Sequence, residues 1–146
     1  MSVAYDASSN SGFKSNVTSA SWSHTWSGSN RMLSIDVATL GVTATVSAMT
    51  YGGATCTFIG GQTITGGGRV ESWRICQDDT GAPATSANAV NVTLSATVSV
   101  VGMGVSYTGV GQASPTEVFN SNQGSSTSAT VVVTTVANND WVHASL

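Results

Sequence analysis

Apolar and polar residues alternate in short runs along this sequence, which is the pattern of half-buried β-strands. One face of residues 18–26 would carry Thr18, Ala20, Trp22, His24 and Trp26. The opposite face would carry only Ser and Thr. A spacing of two residues is that of side chains on a strand, whereas a helix repeats every 3.6 residues. We therefore expect a strand over residues 18–26 with one apolar face.

A second run of this kind covers residues 31–39, where Leu33, Ile35 and Val37 would share a face. Residues 27–30 between the two runs are Ser-Gly-Ser-Asn, a composition typical of tight turns. The two runs therefore predict a β-hairpin. Further strands are expected, between turn residues, over residues 42–51, 54–59, 69–76, 89–95, 97–108, 129–136 and 141–146.

These predicted strands, about nine in total, define the expected fold. The helix-favouring residues Leu, Glu, Lys and Arg are scarce, and no run has the spacing of a helix. We predict an all-β fold, an antiparallel two-sheet sandwich of jelly-roll or Greek-key type. Its length suits a single domain over residues 1–146. The last predicted strand follows a turn at Asn138-Asn139-Asp140 and runs to Leu146, so we expect the domain to be truncated at its C-terminal end.

The low charge of the chain excludes several classes of partner. Charged residues are only 8% of the 146 residues, with a net charge of −3, whereas soluble domains average roughly 25%. The four Lys and Arg residues are scattered, so we expect no binding to nucleic acid. No apolar run reaches the roughly 18 to 20 residues of a membrane span, so we expect no membrane. The first residues lack the features of a secretory signal, so we expect either synthesis in a cytoplasm or excision from a longer protein.

Histidine and carboxylate residues give few candidates for catalysis or metal binding. His24 lies between two tryptophans on one strand face, where a structural histidine is expected, and His143 is isolated. Asp78 and Asp79 would either bind calcium or form a solvated turn. Glu71 lies firmly within a predicted strand, where Arg69 and Arg74 are close enough for ordinary ion pairing, so a pair of catalytic carboxylates is not indicated. We expect no enzyme activity, no cofactor and no bound metal.

The two cysteines, Cys56 and Cys76, leave two alternatives open. They are too few for a disulfide framework and lack a zinc-site spacing. Either both are buried small apolar residues, or they form one bridge between neighbouring strands.

Aromatic residues are the candidates for ligand or partner contacts. The set consists of Trp22, Trp26, Trp73 and Trp141, with Tyr51 and Tyr107 beside them. On a β-fold such residues either fill the interior or stack on sugar rings from an exposed face. The sequence predicts that most of them fill the core.

Six segments, in consistent order over nearly the whole chain, carry a resemblance to known proteins. They are Ser2-Val-Ala-Tyr-Asp-Ala, Ser21-Trp-Ser-His-Thr, Gly28-Ser-Asn-Arg-Met-Leu, Met49-Thr-Tyr-Gly-Gly, Arg69-Val-Glu-Ser-Trp and Val105-Ser-Tyr-Thr-Gly-Val. As a set they resemble a family of Ser/Thr/Gly-rich β-sandwich domains found in bacteriophage virion proteins and bacterial surface proteins. The resemblance implies a module that decorates or attaches, and it brings no catalytic residue with it.

The functional expectation follows from this resemblance. It is a non-enzymatic bacteriophage virion structural protein, specifically a capsid decoration (cement) protein. Such a protein would be a homo-oligomer, with a trimer as the expected number. It would contact other virion proteins such as the major capsid protein, on the exterior of a virion assembled in the host cytoplasm.

The alternative is a carbohydrate-binding or adhesive module of a tail fibre or cell surface. The two functions differ in the surface that each requires. Sugar binding requires aromatic rings in solvent beside polar groups, here from Trp22, Trp26, Trp73 and Trp141. A cement protein instead requires a broad apolar or amide-rich footprint.

Overall fold

The computed structural model describes residues 2–116, 118–124, 130–136 and 140–145. These residues form an all-β structure without helices, as predicted, and so contain no helix that could span a membrane. The strands are β1 (Ala4–Asn10), β2 (Lys14–Thr25), β3 (Met32–Thr39), β4 (Val46–Tyr51), β5 (Ala54–Thr55), β6 (Thr57–Thr63), β7 (Arg69–Cys76) and β8 (Ala87–Thr108).

Strand β8 organises the sheet because four other strands pair with it. Its first part lies between β2 and β4, and its last part lies between β1 and β3. The longest path through the sheet is β5-β4-β8-β3-β7-β6, and every pairing is antiparallel. The sheet curves until it is nearly barrel-shaped. Across the enclosed space the Val46 backbone N–H of β4 donates to Glu71 Oε2 of β7 at 3.3 Å.

The predicted hairpin of the first two runs is wrong. Val100 of β8 pairs with Lys14 of β2 and with Thr39 of β3, so the two strands flank β8 on opposite sides. The turn at residues 27–30 therefore crosses over the end of β8 instead of joining neighbours. Gly109 N donates to Ser29 O at 3.2 Å, which holds this crossing against the end of β8.

The core lies on the inner face of the curved sheet and agrees with the predicted strand faces. Leu33, Ile35 and Val37 are fully buried. In β2 the predicted apolar face is buried at Ala20, Trp22, His24 and Trp26. Thr18 departs from that face and is exposed, because an irregularity between Val17 and Ser19 shifts the register.

Several strand boundaries differ from the prediction, and β7 agrees with it residue for residue. The expected strand over residues 54–59 is divided at Cys56 into β5 and β6, and the two strands expected over 89–95 and 97–108 are one continuous strand, β8. Strand β1 was not predicted. Both cysteines are free and buried, which excludes the bridge.

The strands predicted over 129–136 and 141–146 are absent from the described residues 130–136 and 140–145, which is a correction. Side-chain amides replace a backbone ladder there: Asn120 Nδ2 donates to Val132 O at 2.6 Å, and Asn122 Nδ2 donates to Thr130 O at 2.9 Å. A strand requires a neighbouring backbone edge, and here side chains occupy that position. Ala129, Leu146, Asn138 and Asn139 lie outside the described residues.

Candidate binding site

Two of the four tryptophan candidates, Trp22 and Trp26, lie in the core. Trp22 Nε1 donates to Ser9 Oγ at 3.1 Å. Trp26 is fully buried, and its Nε1 lies 3.2 Å from Pro83 O and from Ala84 O. A ring without an exposed face cannot stack on a sugar. The structure therefore removes these two residues from the set of ligand contacts.

Tyr51 and Trp73 also belong to the interior or its margin. Tyr51 is fully buried, packs edge-on against Trp26 at 5.0 Å, and its hydroxyl donates to His24 O at 3.1 Å. Trp73 is half-buried and packs on Phe58, with 5.0 Å between ring centroids. Neither ring presents a free face comparable with that of Trp141.

The outer face of the sheet carries an aromatic cluster consisting of Tyr5, Tyr107 and Trp141. Trp141 is 55% exposed, and its ring lies edge-to-face with Tyr107 at 5.8 Å. Tyr5 is 57% exposed and stands directly opposite Tyr107 in the β1–β8 register. Opposed residues of neighbouring strands project to the same face. Tyr5 was not among the candidates from the sequence, because no strand was predicted over residues 4–10.

A chain of hydrogen bonds lies beside this cluster, from Ser72 through Asp36 and His143 to Tyr107. The buried Asp36 accepts from Ser72 Oγ at 2.6 Å through Oδ1, and its Oδ2 lies 2.6 Å from His143 Nε2. Tyr107 Oη lies 2.8 Å from His143 Nδ1. In a neutral imidazole, Nε2–H donates to Asp36 and Nδ1 accepts the phenolic proton. The same contacts join His143, and with it Trp141, to the sheet.

In this arrangement an imidazole links a carboxylate to a hydroxyl group, as in the catalytic triads of enzymes that use a hydroxyl nucleophile. Burial raises the pKa of the Tyr107 phenol, and the nearby Asp36 carboxylate and Tyr5 phenol raise it further. An activated nucleophile requires the opposite shift or a strong base. The chain of hydrogen bonds therefore favours positioning of side chains over nucleophilic catalysis.

A cavity of about 1080 Å³ separates the outer face of the sheet from the segment that follows β8, which is described over residues 110–116, 118–124, 130–136 and 140–145. Sheet residues on its wall include Met32, Ser34 and Ser72. The segment contributes Trp141 and His143 together with amides such as Asn120 and Gln123. Ligand sites in proteins commonly have volumes of roughly 300–1,000 Å³. The cavity is thus large enough for a ligand of several rings.

The segment is held over the sheet at a few defined points. The phenyl ring of Phe119 lies so close to Gly60 of β6 that a side chain at residue 60 would overlap it. Ser121 Oγ donates to Gln62 Oε1 at 2.8 Å, and Gln123 Oε1 accepts from Thr65 N at 2.9 Å. These contacts fix the far wall of the cavity.

The remaining candidates have structural roles. Asp79 accepts from Cys76 N at 2.8 Å and lies 3.7 Å from Arg74 Nη1, so it closes the turn after β7. No group of three His, Cys, Asp or Glu side chains that could hold a metal occurs among the residues that the structure describes. Glu71 is buried in an ion pair with Arg69 at 2.6 Å.

His24 is the structural histidine that the sequence predicted. Its ring is buried, and its Nδ1 lies 2.8 Å from Ser9 Oγ. The Ser9 oxygen accepts from Trp22, so its own proton is directed to His24. Burial lowers the pKa of the imidazole. His24 is therefore a neutral core residue.

Comparisons with protein-family models, curated proteins and solved structures give no match for this chain.

Proposed function

We propose that this chain is a non-enzymatic structural protein of a bacteriophage virion, specifically a capsid decoration (cement) subunit that acts through contacts between subunits. The observation that supports this proposal is the exposed valine-rich stretch over residues 130–136. Val132 is 73% exposed and Val136 is 71% exposed. The described part of this stretch has no strand partner.

The residue types in this stretch favour a β-strand, although the stretch lies outside the chain's own sheet. Residues 130–136 are Thr and Val throughout, and β-branched residues favour strands. Exposed apolar patches of this kind mark interaction surfaces. Among the described strands, β6 pairs with β7 alone and ends the strand order, so it offers an edge to an added strand.

In the assembled state, we propose that the stretch adds to the sheet of a second copy, which gives a homo-oligomer with a trimer as the expected number. The added strand would bring the sheet to about nine strands, and for this assembled state we propose a two-sheet sandwich of jelly-roll or Greek-key type. The net charge of −3 over 146 residues opposes such packing little. The major capsid protein would be the further partner, on the virion exterior, with no role for nucleic acid or membrane.

Electron cryomicroscopy of the particle that contains the chain tests this function. Density in regular copies on an icosahedral shell, with residues 130–136 in a contact between subunits, is the expected result. Density at a fibre tip or on a cell-surface filament would overturn the decoration role.

A variant pair tests the contact itself. Replacement of both Val132 and Val136 by Asp is expected to abolish binding of the purified chain to shells depleted of it. Val42→Asp changes another exposed valine outside the stretch, and it should bind as the unchanged chain does. Equal binding by all three proteins would show that the stretch is not the contact.

A further inference from the structure

We propose that the aromatic cluster of Tyr5, Tyr107 and Trp141, together with the cavity beside it, is a binding site for a neutral oligosaccharide. A pyranose ring would stack on the exposed face of Trp141. The site borders the valine-rich stretch, because Thr130, Val131, Val133 and Thr135 line the cavity. The exposed Val132 and Val136 that we propose for the assembly contact do not line it, so variants at these two residues and at Trp141 test the two proposals separately.

The aromatic cluster exposes rings that the fold holds in place. More than half of the Trp141 and Tyr5 surfaces face solvent, whereas the tryptophans of the core have no free face. The Tyr107 ring buttresses Trp141 edge-on. Aromatic faces pack against the apolar C–H face of a sugar while their polar atoms stay accessible. An exposed ring that is already fixed loses little conformational freedom when it binds.

The cavity wall combines hydrogen-bonding side chains with apolar ones. Hydroxyl and amide side chains there include Ser34, Gln62, Ser72, Asn120 and Asn122. Such groups both donate and accept hydrogen bonds, as sugar hydroxyls do. They stand next to apolar residues such as Met32, which matches the mixed surface of a sugar.

The charge of the residues that line the cavity also favours a neutral ligand. The described residues that line the cavity include no Lys or Arg, and they include the acidic Asp140. A phosphate, a sulfate or a sugar acid would lack a cation there, and charge-assisted pairs supply much of the affinity for anions. A neutral, hydroxyl-rich ligand is therefore favoured over a nucleotide or an acidic glycan.

Asp36 is a positioning residue in this site. It does not line the cavity, but it binds His143, and His143 binds Tyr107. Trp141 lies two residues before His143, so the Asp36–His143 contact keeps the indole beside Tyr107. Loss of this contact would loosen the stacking ring without removing any group that touches the sugar.

The first experiment applies the full chain to an array of neutral oligosaccharides built from glucose, galactose, mannose and N-acetylglucosamine, with sulfated and sialylated glycans on the same surface. Binding to neutral members is expected. Absence of binding to every neutral glycan by the folded chain, or preference for the acidic ones, would overturn the proposal.

The second experiment locates the site with a soluble neutral oligosaccharide that the array identifies. Trp141→Ala is expected to weaken binding at least about tenfold, as loss of a central aromatic contact does. Tyr5→Ala should weaken it several-fold and serves as the second variant if Trp141→Ala does not fold. Phe13→Ala removes an equally exposed ring outside the cluster, at 61% exposure, and should leave binding unchanged.

A spectroscopic readout separates direct contact from a structural effect. The four tryptophans give four indole N–H signals in a nitrogen-15 spectrum. The signal that Trp141→Ala removes should shift on addition of the sugar, while those of the buried Trp22 and Trp26 stay in place. For Asp36→Asn, we expect weaker binding with the Trp141 signal displaced even in the free protein. A sugar that moves only core signals, or that binds Trp141→Ala normally, would contradict the assignment.

Discussion

Gly102 of β8 lies directly beneath the indole of Trp22: a Cβ atom at residue 102 would stand 2.5 Å from Trp22 Cη2. The six-membered ring of this indole therefore occupies the space that a side chain at residue 102 would need. Only a residue without a side chain fits between β8 and this ring.

Gly102→Ala is therefore expected to lower the free energy of unfolding by about 1–3 kcal/mol, the usual cost of overpacking a core. Urea denaturation followed by tryptophan fluorescence measures it. Gly111→Ala is the matched control, because a Cβ there would contact nothing within 4 Å. Similar midpoints for the two variants would contradict the packing argument.

The buried imidazole of His24 predicts a dependence of stability on pH. Burial lowers its pKa below the usual histidine value of about 6.5, and the nearby Asp6 opposes that shift only in part. The unfolded chain then binds more protons than the folded chain once the pH falls below about 6.5. The free energy of unfolding should therefore decrease as the pH is lowered from about 7 toward the pKa of the folded state.

Urea denaturation at a series of pH values from 5 to 8 checks this sign. His24→Asn should unfold more easily at every pH, and its stability should fall less between pH 6.5 and 5 than that of the unchanged chain. The remaining slope belongs to other groups. An identical slope in the two proteins would show that His24 is not the titrating residue.

The two thiols should be inert in the folded protein. Burial raises the pKa of Cys56 to about 12 and that of Cys76 to about 11. The thiolate is the reactive form, so both residues are protonated and shielded at pH 8. A chromogenic disulfide reagent should titrate no thiol in native buffer and two per chain in urea. Fast reaction of either thiol without denaturant would contradict the described burial.

The Arg69–Glu71 pair predicts an asymmetry between single and double variants. Glu71 is buried and also accepts from Val46 N and Trp73 Nε1, so loss of Arg69 leaves a carboxylate without its cation. Removal of one partner of a buried pair costs about 3–5 kcal/mol. Because Arg69 is partly exposed, we expect about 2–3 kcal/mol for Arg69→Met.

Arg69→Met combined with Glu71→Gln should recover much of that loss, since no unpaired charge remains. The free energies of unfolding of the two single variants and the double variant measure the coupling. Additive losses would mean that the two side chains do not depend on each other.

Strand faces could be predicted from the sequence wherever local alternation and burial coincide. The run at Leu33, Ile35 and Val37 is an example. The bounds of β7 could also be predicted, because a glycine-rich stretch precedes the strand and a turn follows it. Strand β1 could not be predicted, since Ala4–Asn10 is mostly polar and its conformation depends on pairing with β8. The valine-rich stretch shows the reverse: its residues favour a strand, but none of the described strands pairs with it.

The candidate site could be predicted only in part. Trp141 was among the candidates because of its type alone. Asp36 and His143 are separated by 107 residues, and no local spacing relates them. Their contact results from the position of the segment over the sheet, which depends on tertiary packing.

The central position of β8 also has a consequence for the synthesis of the protein. In the part of the chain that the structure describes, β1 and β2 pair with β8 alone, and β8 is the last of the strands to leave the ribosome. At about 5–20 residues per second, β1 waits on the order of 5–20 s for its partner. During that interval the nascent chain carries unsatisfied strand edges. Translation speed and chaperone access are therefore expected to govern the yield of folded protein.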